Sequence, residues 1–294
     1  MSTSPLAIAL YCAALSLVVA ALLAGRHMLG RGLLALARAV GRAWHRATGR
    51  RRPQAGPRAA LARAEWRPAR TSPRDLLASI RREAASVMTE NTFIPLVAAG
   101  DARSRCLLAE FAGQQAQLLA SDRRSYLHLA ARFASAPAGT FFAELADTAR
   151  QAREMLAASG AGARGAGPQP CEQLPGCQAY PSFVSWLALN STAEDAALAV
   201  AVSLDLWGRN FAAMARALRD APGFADGDRA SAFFDIFAVP GSHIEDQAVA
   251  VAQEAQDDGR KPARAREYAR TLAAYQSMWW TALADRAPAG NRLA

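Results

Sequence analysis

An uncharged and mostly apolar stretch of twenty residues lies near the start of the chain, from Leu6 to Gly25. At a helical rise of about 1.5 Å per residue, this stretch matches the roughly 30 Å hydrocarbon core of a bilayer. A secretory signal peptide would begin with basic residues, and none precedes the stretch. The alternative is a buried core helix, which is rarely free of charge over such a length. We therefore predict a transmembrane anchor at residues 1–26.

The segment that follows has an amphipathic pattern. Leu33, Leu36 and Val40 recur at steps of three and four residues within 28–48, and arginines occupy the opposite side. This spacing predicts a basic helix that lies in the lipid headgroup layer, with a solvated linker helix as the alternative. The residues after it are rich in Arg, Pro and Ala, which is typical of a flexible linker, and we assign 27–72 to these two elements.

Beyond residue 72, stretches with helical periodicity alternate with short breakers. Ser72 and Pro73 predict the start of a helix, as N-cap and first-turn proline, and Ser191 with Glu194 predicts a capping box. No stretch alternates with period two, so we expect no sheet. Helices are predicted at about 73–87, 101–120, 122–134, 140–158, 180–189, 191–220, 227–238, 242–257 and 262–285. This pattern predicts an all-α multi-helix bundle at residues 73–288, followed by a short tail at 289–294.

The charge is segregated along the chain. Residues 1–70 carry twelve arginines and one acidic residue, a net charge of +11, whereas the rest carries 22 basic and 24 acidic residues, a net charge of −2. A basic block beside an apolar segment favours an anionic lipid surface, so we expect residues 26–52 to bind membrane lipid and expect no nucleic-acid partner. The positive-inside rule predicts a single-pass protein of the cell membrane, with its N-terminus outside and its helical domain in the cytoplasm.

The chain has four cysteines. Cys12 lies in the apolar segment and Cys106 in a predicted helix, so both are expected to be buried thiols. Cys171 and Cys177 share a loop rich in Pro and Gly and could form a disulfide in an oxidising compartment, although the predicted cytoplasmic location favours reduced thiols. Since no second Cys/His pair accompanies them, the spacing does not indicate a zinc site.

The order of the helices and of their apolar landmarks resembles that of the TenA (thiaminase II)/PqqC family. The likeness extends over residues 84–287, which is nearly the whole predicted helical domain. The matching stretches are Asn91–Leu96, Phe111–Gln115, Tyr180–Leu187, Ala201–Gly208, Phe233–Phe237 and Tyr275–Trp280. The resemblance implies a haem-oxygenase-like fold for the bundle.

The likeness also implies positions for the thiaminase residues of the family, and this chain has other residues there. The cysteine nucleophile corresponds to Ser203, one tyrosine to Trp207 and the other to Phe237. The aspartate corresponds to Gln115 and the glutamate to Gln276, and an amide neither accepts nor releases a proton at neutral pH. A serine hydroxyl is also far less acidic than a thiol. We therefore expect no thiaminase activity and assign no catalytic residue.

Two other chemistries of this fold are disfavoured. A haem oxygenase needs an axial histidine early in the domain, and no histidine lies between His45 and His128. A di-iron oxidase needs about six Glu, Asp or His ligands. Glu110 and Glu144 could contribute, but neutral residues such as Gln117 stand where the others would be expected. We expect no metal and no cofactor.

The remaining features predict a pocket with aromatic walls and neutral hydrogen-bonding groups, which suits a flat and mostly uncharged molecule. Its candidate lining residues are Glu110, Gln114, Gln115, Ser203, Trp207, Phe237 and Gln276. The alternative is that these side chains simply fill the core.

Our leading hypothesis is a membrane-anchored, catalytically degenerate TenA-like protein that binds a small heterocyclic ligand in a regulatory or accessory role. One alternative is an enzyme of haem-oxygenase-like fold, an oxidase or hydrolase, that acts on a lipid-soluble substrate. Another is a structural protein that forms a homo-oligomer through the surface of the bundle.

Overall fold

The computed structural model describes residues 71–158, 172–222, 224, 227–238 and 242–286. Within these ranges the chain is helical and contains no β-strand, as the hydrophobic pattern predicts. The helices are α1 (Pro73–Ala85), α2 (Phe93–Ala98), α3 (Ala102–Arg132), α4 (Ala138–Ala158), α5 (Pro175–Asn190), α6 (Ala193–Asp220), α7 (Gly227–Phe237), α8 (Ser242–Asp257) and α9 (Ala265–Asp285). They form a multi-helix bundle.

Several sequence predictions fall outside the described residues. These are the transmembrane anchor at 1–26, nearly all of the juxtamembrane segment at 27–72, the tail at 289–294, and the thiols of Cys12 and Cys171. In the part of the chain that the structure describes, no helix has both the length and the apolar character needed to cross a bilayer.

Two helix starts show how local chemistry sets the boundaries. Ser72 caps α1 as predicted, and its hydroxyl accepts a hydrogen bond from the backbone N–H of Asp75 at 3.1 Å. The predicted capping box at Ser191 is wrong by one residue, because Thr192 is the N-cap of α6 and its hydroxyl accepts from the Asp195 N–H at 3.3 Å. Ser191 instead donates its hydroxyl to the Leu187 carbonyl at 2.7 Å, at the end of α5.

The largest difference from the predicted helices lies in α3. We predicted two helices separated near Ser121, but Ala102–Arg132 is one continuous helix of 31 residues. Ser and Asp are only moderately poor helix formers, and α3 packs along both α4 and α5, so tertiary packing outweighs the local preference for a break. As a result Asp122, which a helix start would have left at the surface, is buried.

Two further boundaries differ from the sequence prediction. The helix predicted at 180–189 begins five residues earlier, with Pro175 in its first turn, where the missing N–H has no partner to lose. Pro181 then lies inside α5. The short helix α2 was not predicted at all, because six residues are too few to show a helical period.

Helix α6 lies at the centre of the bundle. Every residue from 194 to 203 is buried, so the first part of this helix is covered on all sides rather than along one stripe. It packs against α7, α8 and α9. The alanines of this segment allow the neighbouring helices to approach closely, and the larger side chains of the core gather further along.

An aromatic cluster forms the part of the core that lies beyond the alanine-rich start of α6. The Trp280 ring lies 4.8 Å from Trp279, 5.5 Å from Trp207, 5.8 Å from Phe93 and 5.9 Å from Phe111, measured between ring centroids. These residues come from α2, α3, α6 and α9, so the cluster joins four helices. Offset and edge-on ring pairs add about 0.5–1.5 kcal/mol each beyond the area that they bury.

The two buried acids at the start of α6 both have partners. Asp195 accepts hydrogen bonds from the backbone N–H groups of Arg264 and Ala265, each at 2.9 Å, and so caps the start of α9. Glu194 accepts from the Arg260 guanidinium at 2.5 Å. These pairs tie α6 to the segment before α9, and burial of their charge is compensated.

The structure describes two of the cysteines, and one prediction about them is wrong. We expected Cys106 to be buried, but it is exposed. It lies on the solvent-facing side of the first turns of α3. Cys177 is buried near the start of α5 and its thiol lies 3.7 Å from the Trp279 carbonyl oxygen.

Candidate ligand-binding cavity

A cavity of about 240 Å³ lies between α3, α4, α6 and α7. Most of its lining is aliphatic or aromatic, and no described Arg, Lys or His belongs to it. The lining residues are Gln115, Leu118, Leu119, Asp122, Tyr126, Leu145, Thr148, Ala149, Ala152, Tyr180, Leu204, Trp207, Phe211, Phe233, Ile236, Phe237 and Ile244. The volume lies near the lower limit for pockets that bind small molecules.

The cavity reaches the protein surface at one end. Thr148 of α4 is exposed, Ile236 of α7 is 54% exposed, and Ile244 of α8 is partly exposed. These three lining residues come from different helices, and we call the surface that they share with the cavity the mouth.

Helix α3 supplies the polar side of the cavity. Gln115, Asp122 and Tyr126 follow one another at steps of seven and four residues, so they lie on one face of the helix. All three side chains are buried. The Gln115 Oε1, the Asp122 Oδ1 and the Tyr126 hydroxyl have no hydrogen-bond partner among the described residues. Buried polar atoms without a partner cost about 1–3 kcal/mol each, which makes this group unusual in a protein interior.

Among the described residues that line the cavity, Asp122 is the only acid. Burial alone raises the pKa of its carboxyl from 3.8 to about 8. The group is therefore mostly protonated at neutral pH, when it can both donate and accept a hydrogen bond. Burial also raises the pKa of the nearby Tyr126 hydroxyl, and the charge that Asp122 can carry raises it further.

Tyr180 and Ser203 form a hydrogen-bonded pair beside the cavity. The Tyr180 hydroxyl and the Ser203 Oγ lie 2.9 Å apart, and the Tyr180 ring meets Trp207 edge-on with ring centroids 5.6 Å apart. Burial raises the pKa of the Tyr180 hydroxyl, so this phenol is not a base at neutral pH. The partner of Ser203 is thus a neutral hydroxyl, and nothing in this pair can activate the serine as a nucleophile.

The structure brings three of the predicted pocket residues together. Gln115, Trp207 and Phe237 line the cavity, on α3, α6 and α7. Ser203 is buried in contact with the Tyr180 hydroxyl, and it does not line the cavity.

The other three predicted residues lie elsewhere. Gln114 donates from its side-chain nitrogen to the Glu110 carboxylate at 3.0 Å and to the Glu172 carbonyl at 2.7 Å, while its oxygen accepts from the Leu174 N–H at 3.2 Å. Gln114 and Glu110 therefore hold the segment before α5. Gln276 is fully buried on α9, outside the cavity lining, and neither polar atom of its side chain has a hydrogen-bond partner in the described ranges.

Sequence reasoning missed Asp122, Tyr126 and Tyr180 as cavity residues. The signal was present in the spacing from Gln115 through Asp122 to Tyr126, which places polar residues on an otherwise apolar helix face. It was hidden because we divided α3 at Ser121 and so treated Asp122 as a residue at a helix start.

Neither of the two described histidines lines the cavity. His128 is exposed, and His243 faces Glu144 with 3.3 Å between the ring nitrogen and the carboxylate. Within the described ranges, no three His, Cys, Asp or Glu side chains are grouped closely enough to hold a metal ion.

We expect Ala149→Leu to be tolerated, since Ala149 lines the cavity and the larger side chain can extend into it. Ala146 is buried one turn earlier on α4 but does not line the cavity. Ala146→Leu should therefore destabilise by about 1–3 kcal/mol through overpacking, and Ala149→Leu by less than about 1 kcal/mol. Denaturant unfolding of the two variants tests this, and equal losses would contradict an open cavity at this position.

The chain matches no protein-family model, and no curated protein is significantly similar to it. The resemblance to the TenA/PqqC family stays a prediction.

Proposed function

We propose that the helical domain binds a small molecule in the cavity between α3, α4, α6 and α7. One observation supports this most directly. Three buried polar atoms, on Gln115, Asp122 and Tyr126, border the cavity without a hydrogen-bond partner among the described residues. A ligand that hydrogen-bonds these atoms would remove a cost of about 1–3 kcal/mol for each of them.

The walls favour a small ring system. Trp207, Phe211 and Phe237 present aromatic surface, and the volume of about 240 Å³ suits a molecule of one or two rings. Such a ligand could stack on the aromatic side chains while its polar edge meets α3. This is compatible with the heterocycle that the sequence predicts.

The proposed role is regulatory or accessory rather than catalytic. At the positions that the family resemblance assigns to thiaminase chemistry, Ser203 hydrogen-bonds a tyrosine and Gln276 is an amide outside the lining. We accordingly propose a haem-oxygenase-like bundle whose pocket is kept and whose reaction is lost. This part of the proposal rests on the resemblance and on the residue types.

We also propose that the domain is held at a membrane by residues 6–25, with the arginines within 26–52 on anionic lipid. The support is the uncharged twenty-residue stretch and the basic segment after it. Alkaline extraction of membranes from cells that express the full chain tests this. Recovery of the protein in the soluble fraction would contradict the anchor.

Thermal unfolding with a panel of one- and two-ring compounds tests the binding function. The panel contains pyrimidines, pyridines, indoles and small quinones, added to the purified full-length protein in mild detergent. We expect at least one to stabilise the protein, by about 2.7 kcal/mol at a concentration near 100 times its Kd. Ala149→Leu should reduce the shift because the larger side chain occupies part of the binding space. A panel without any effect, or an equal shift in Ala149→Leu, would count against the proposal.

A second candidate is an enzyme that acts on a lipid-soluble substrate. The observation that favours it is Asp122, since a carboxyl whose pKa is raised to about 8 is suited to general acid–base catalysis near neutral pH. The apolar cavity and its open mouth would suit such a substrate. If this candidate is correct, Asp122→Asn abolishes turnover but retains binding, and a binding module shows no turnover to lose.

A further inference from the structure

Asp122 differs from the other buried acids in having no cationic or N–H partner. The described residues contain three buried acids, Asp122, Glu194 and Asp195. Glu194 is paired with Arg260, and Asp195 accepts two backbone N–H groups. Asp122 alone has an oxygen without a partner in the described ranges, and it is also the one that borders the cavity. The missing partner would therefore be expected inside the cavity.

Among the described residues, no Arg, Lys or His lines the cavity and could act as a cationic partner. The titratable neighbours of Asp122 are Tyr126 on its own helix and Tyr180 on α5, and both can only become negative. The lining residues from α4, α6, α7 and α8 are aliphatic or aromatic apart from Thr148. Since the described lining supplies no cation, we expect a cation in this space to come from the ligand.

The unpartnered atoms also indicate what the ligand must offer. The Gln115 Oε1 is an acceptor, and the Asp122 carboxyl becomes an acceptor at both oxygens once it is ionised. A ligand that satisfies both must carry N–H or O–H donors. Aromatic side chains such as Trp207 and Phe211 complete the wall, and the faces of such rings attract a cation.

We propose that Asp122 is the counter-ion for a ligand with a protonated nitrogen, a small amine that combines a ring with a basic aliphatic nitrogen. The inference rests on the proposed binding function and narrows it to one class of ligand. It also replaces the mostly uncharged ligand that the sequence suggested, because the sequence placed Glu110, and not Asp122, in the pocket.

The proton balance of binding follows from the state of the carboxyl. When an ammonium ion binds to protonated Asp122, the carboxyl proton leaves to solvent and an ammonium–carboxylate pair forms. When the neutral amine binds, the same proton moves from the carboxyl oxygen to the nitrogen, and no proton is exchanged with solvent. At pH 6 a simple amine is almost entirely ammonium, so binding should release close to one proton per ligand.

Calorimetry with two matched compounds tests the inference. Benzylamine and benzyl alcohol have the same ring and differ in the group that can carry charge. Each is titrated into the full-length protein at pH 6 in two buffers of different ionisation enthalpy. We expect benzylamine to bind at least tenfold more tightly, with release of about one proton. Asp122→Asn should remove the proton release and the tenfold preference, and Asp122→Glu, which restores a carboxyl, should retain both.

The outcomes separate this inference from the proposed function. If benzyl alcohol binds as tightly as benzylamine, or if Asp122→Asn binds benzylamine unchanged, the counter-ion role is wrong and the binding function stands. If neither compound binds the wild-type protein more tightly than it binds Ala149→Leu, the cavity is not a binding site for small ring compounds, and both proposals fail.

Discussion

Replacing Asp122 with asparagine should remove a fall in stability that the wild-type protein shows between pH 5 and pH 8. In the unfolded chain this carboxyl ionises near its ordinary pKa of 3.8, whereas burial raises the pKa in the folded protein to about 8. Between these values the folded state binds more protons than the unfolded state. The free energy of unfolding therefore decreases as the pH rises, and the decrease ends once the pH passes the folded-state pKa.

The size of this effect is set by the pKa difference. A single proton of this kind changes the free energy of unfolding by about 1.4 kcal/mol per pH unit, or at most roughly 4 kcal/mol over three units. Denaturant unfolding of the wild-type protein and of Asp122→Asn at pH 5, 6, 7 and 8 measures it. The two free energies of unfolding should diverge steadily as the pH rises, and the value for Asp122→Asn should increase relative to that of the wild type.

Asp147 provides the matched control. It is an exposed aspartate whose hydrogen bonds with Arg150 lower its pKa, so it is ionised in both states throughout the pH range of the experiment. Asp147→Asn should give a curve parallel to the wild type. If the Asp122→Asn curve were also parallel, the carboxyl would be solvated or paired, and its proposed role toward a ligand would lose its basis.

The largest loss of stability is expected from Trp280→Ala. Trp280 is 2% exposed and contacts aromatic rings from α2, α3, α6 and α9, so truncation leaves a void where four helices meet. Large-to-small changes of buried aromatic residues cost about 3–5 kcal/mol. Chemical denaturation measures the change, and the bundle should remain helical by circular dichroism under native conditions.

Trp186→Ala is the control for this prediction. Trp186 also belongs to an aromatic group, since it stacks on Phe183 at 5.5 Å and meets Tyr268 at 5.7 Å, but it is 38% exposed on the outer side of α5. We expect Trp186→Ala to lower the free energy of unfolding by less than about half as much as Trp280→Ala does, because water already covers part of the Trp186 ring. Equal losses from the two variants would mean that the core is not centred on Trp280.

Trp280→Ala and Asp122→Asn probe different features of the same bundle. Trp280 concerns the packing that holds the helices together, whereas Asp122 concerns a position where packing is incomplete. A protein that retains a buried acid without a partner gives up stability at neutral pH. A ligand that supplies the partner would restore that stability, which connects the pH prediction to the proposed binding function.

Much of the fold could be predicted from the sequence because helices depend on local interactions. The three- and four-residue spacing of apolar positions identified most of the helices, and the cap at Ser72 was identified correctly from residue type alone. Errors arose where neighbouring elements compete for the same group. Ser191, which looks like an N-cap, hydrogen-bonds the end of the preceding helix instead, and this choice depends on how α5 and α6 meet.

The candidate site was only partly predictable. Gln115, Trp207 and Phe237 were selected through the family resemblance, and they do line one cavity. The same reasoning placed Gln276 and Gln114 in the pocket, but Gln276 is buried outside the lining and Gln114 holds the segment before α5. Residue type does not reveal which of several polar residues on a buried face meets empty space.

The sequence by itself determined that this domain is a bundle of helices, since the periodicity of apolar residues and the caps act within a few residues of each other. Only the tertiary structure decided that α3 runs unbroken through Ser121 and that Asp122 therefore faces inward. It also decided that this carboxyl borders a cavity without a partner. The physical reason is that burial, cavities and ion pairing depend on which helices meet, and these contacts join residues far apart in the chain.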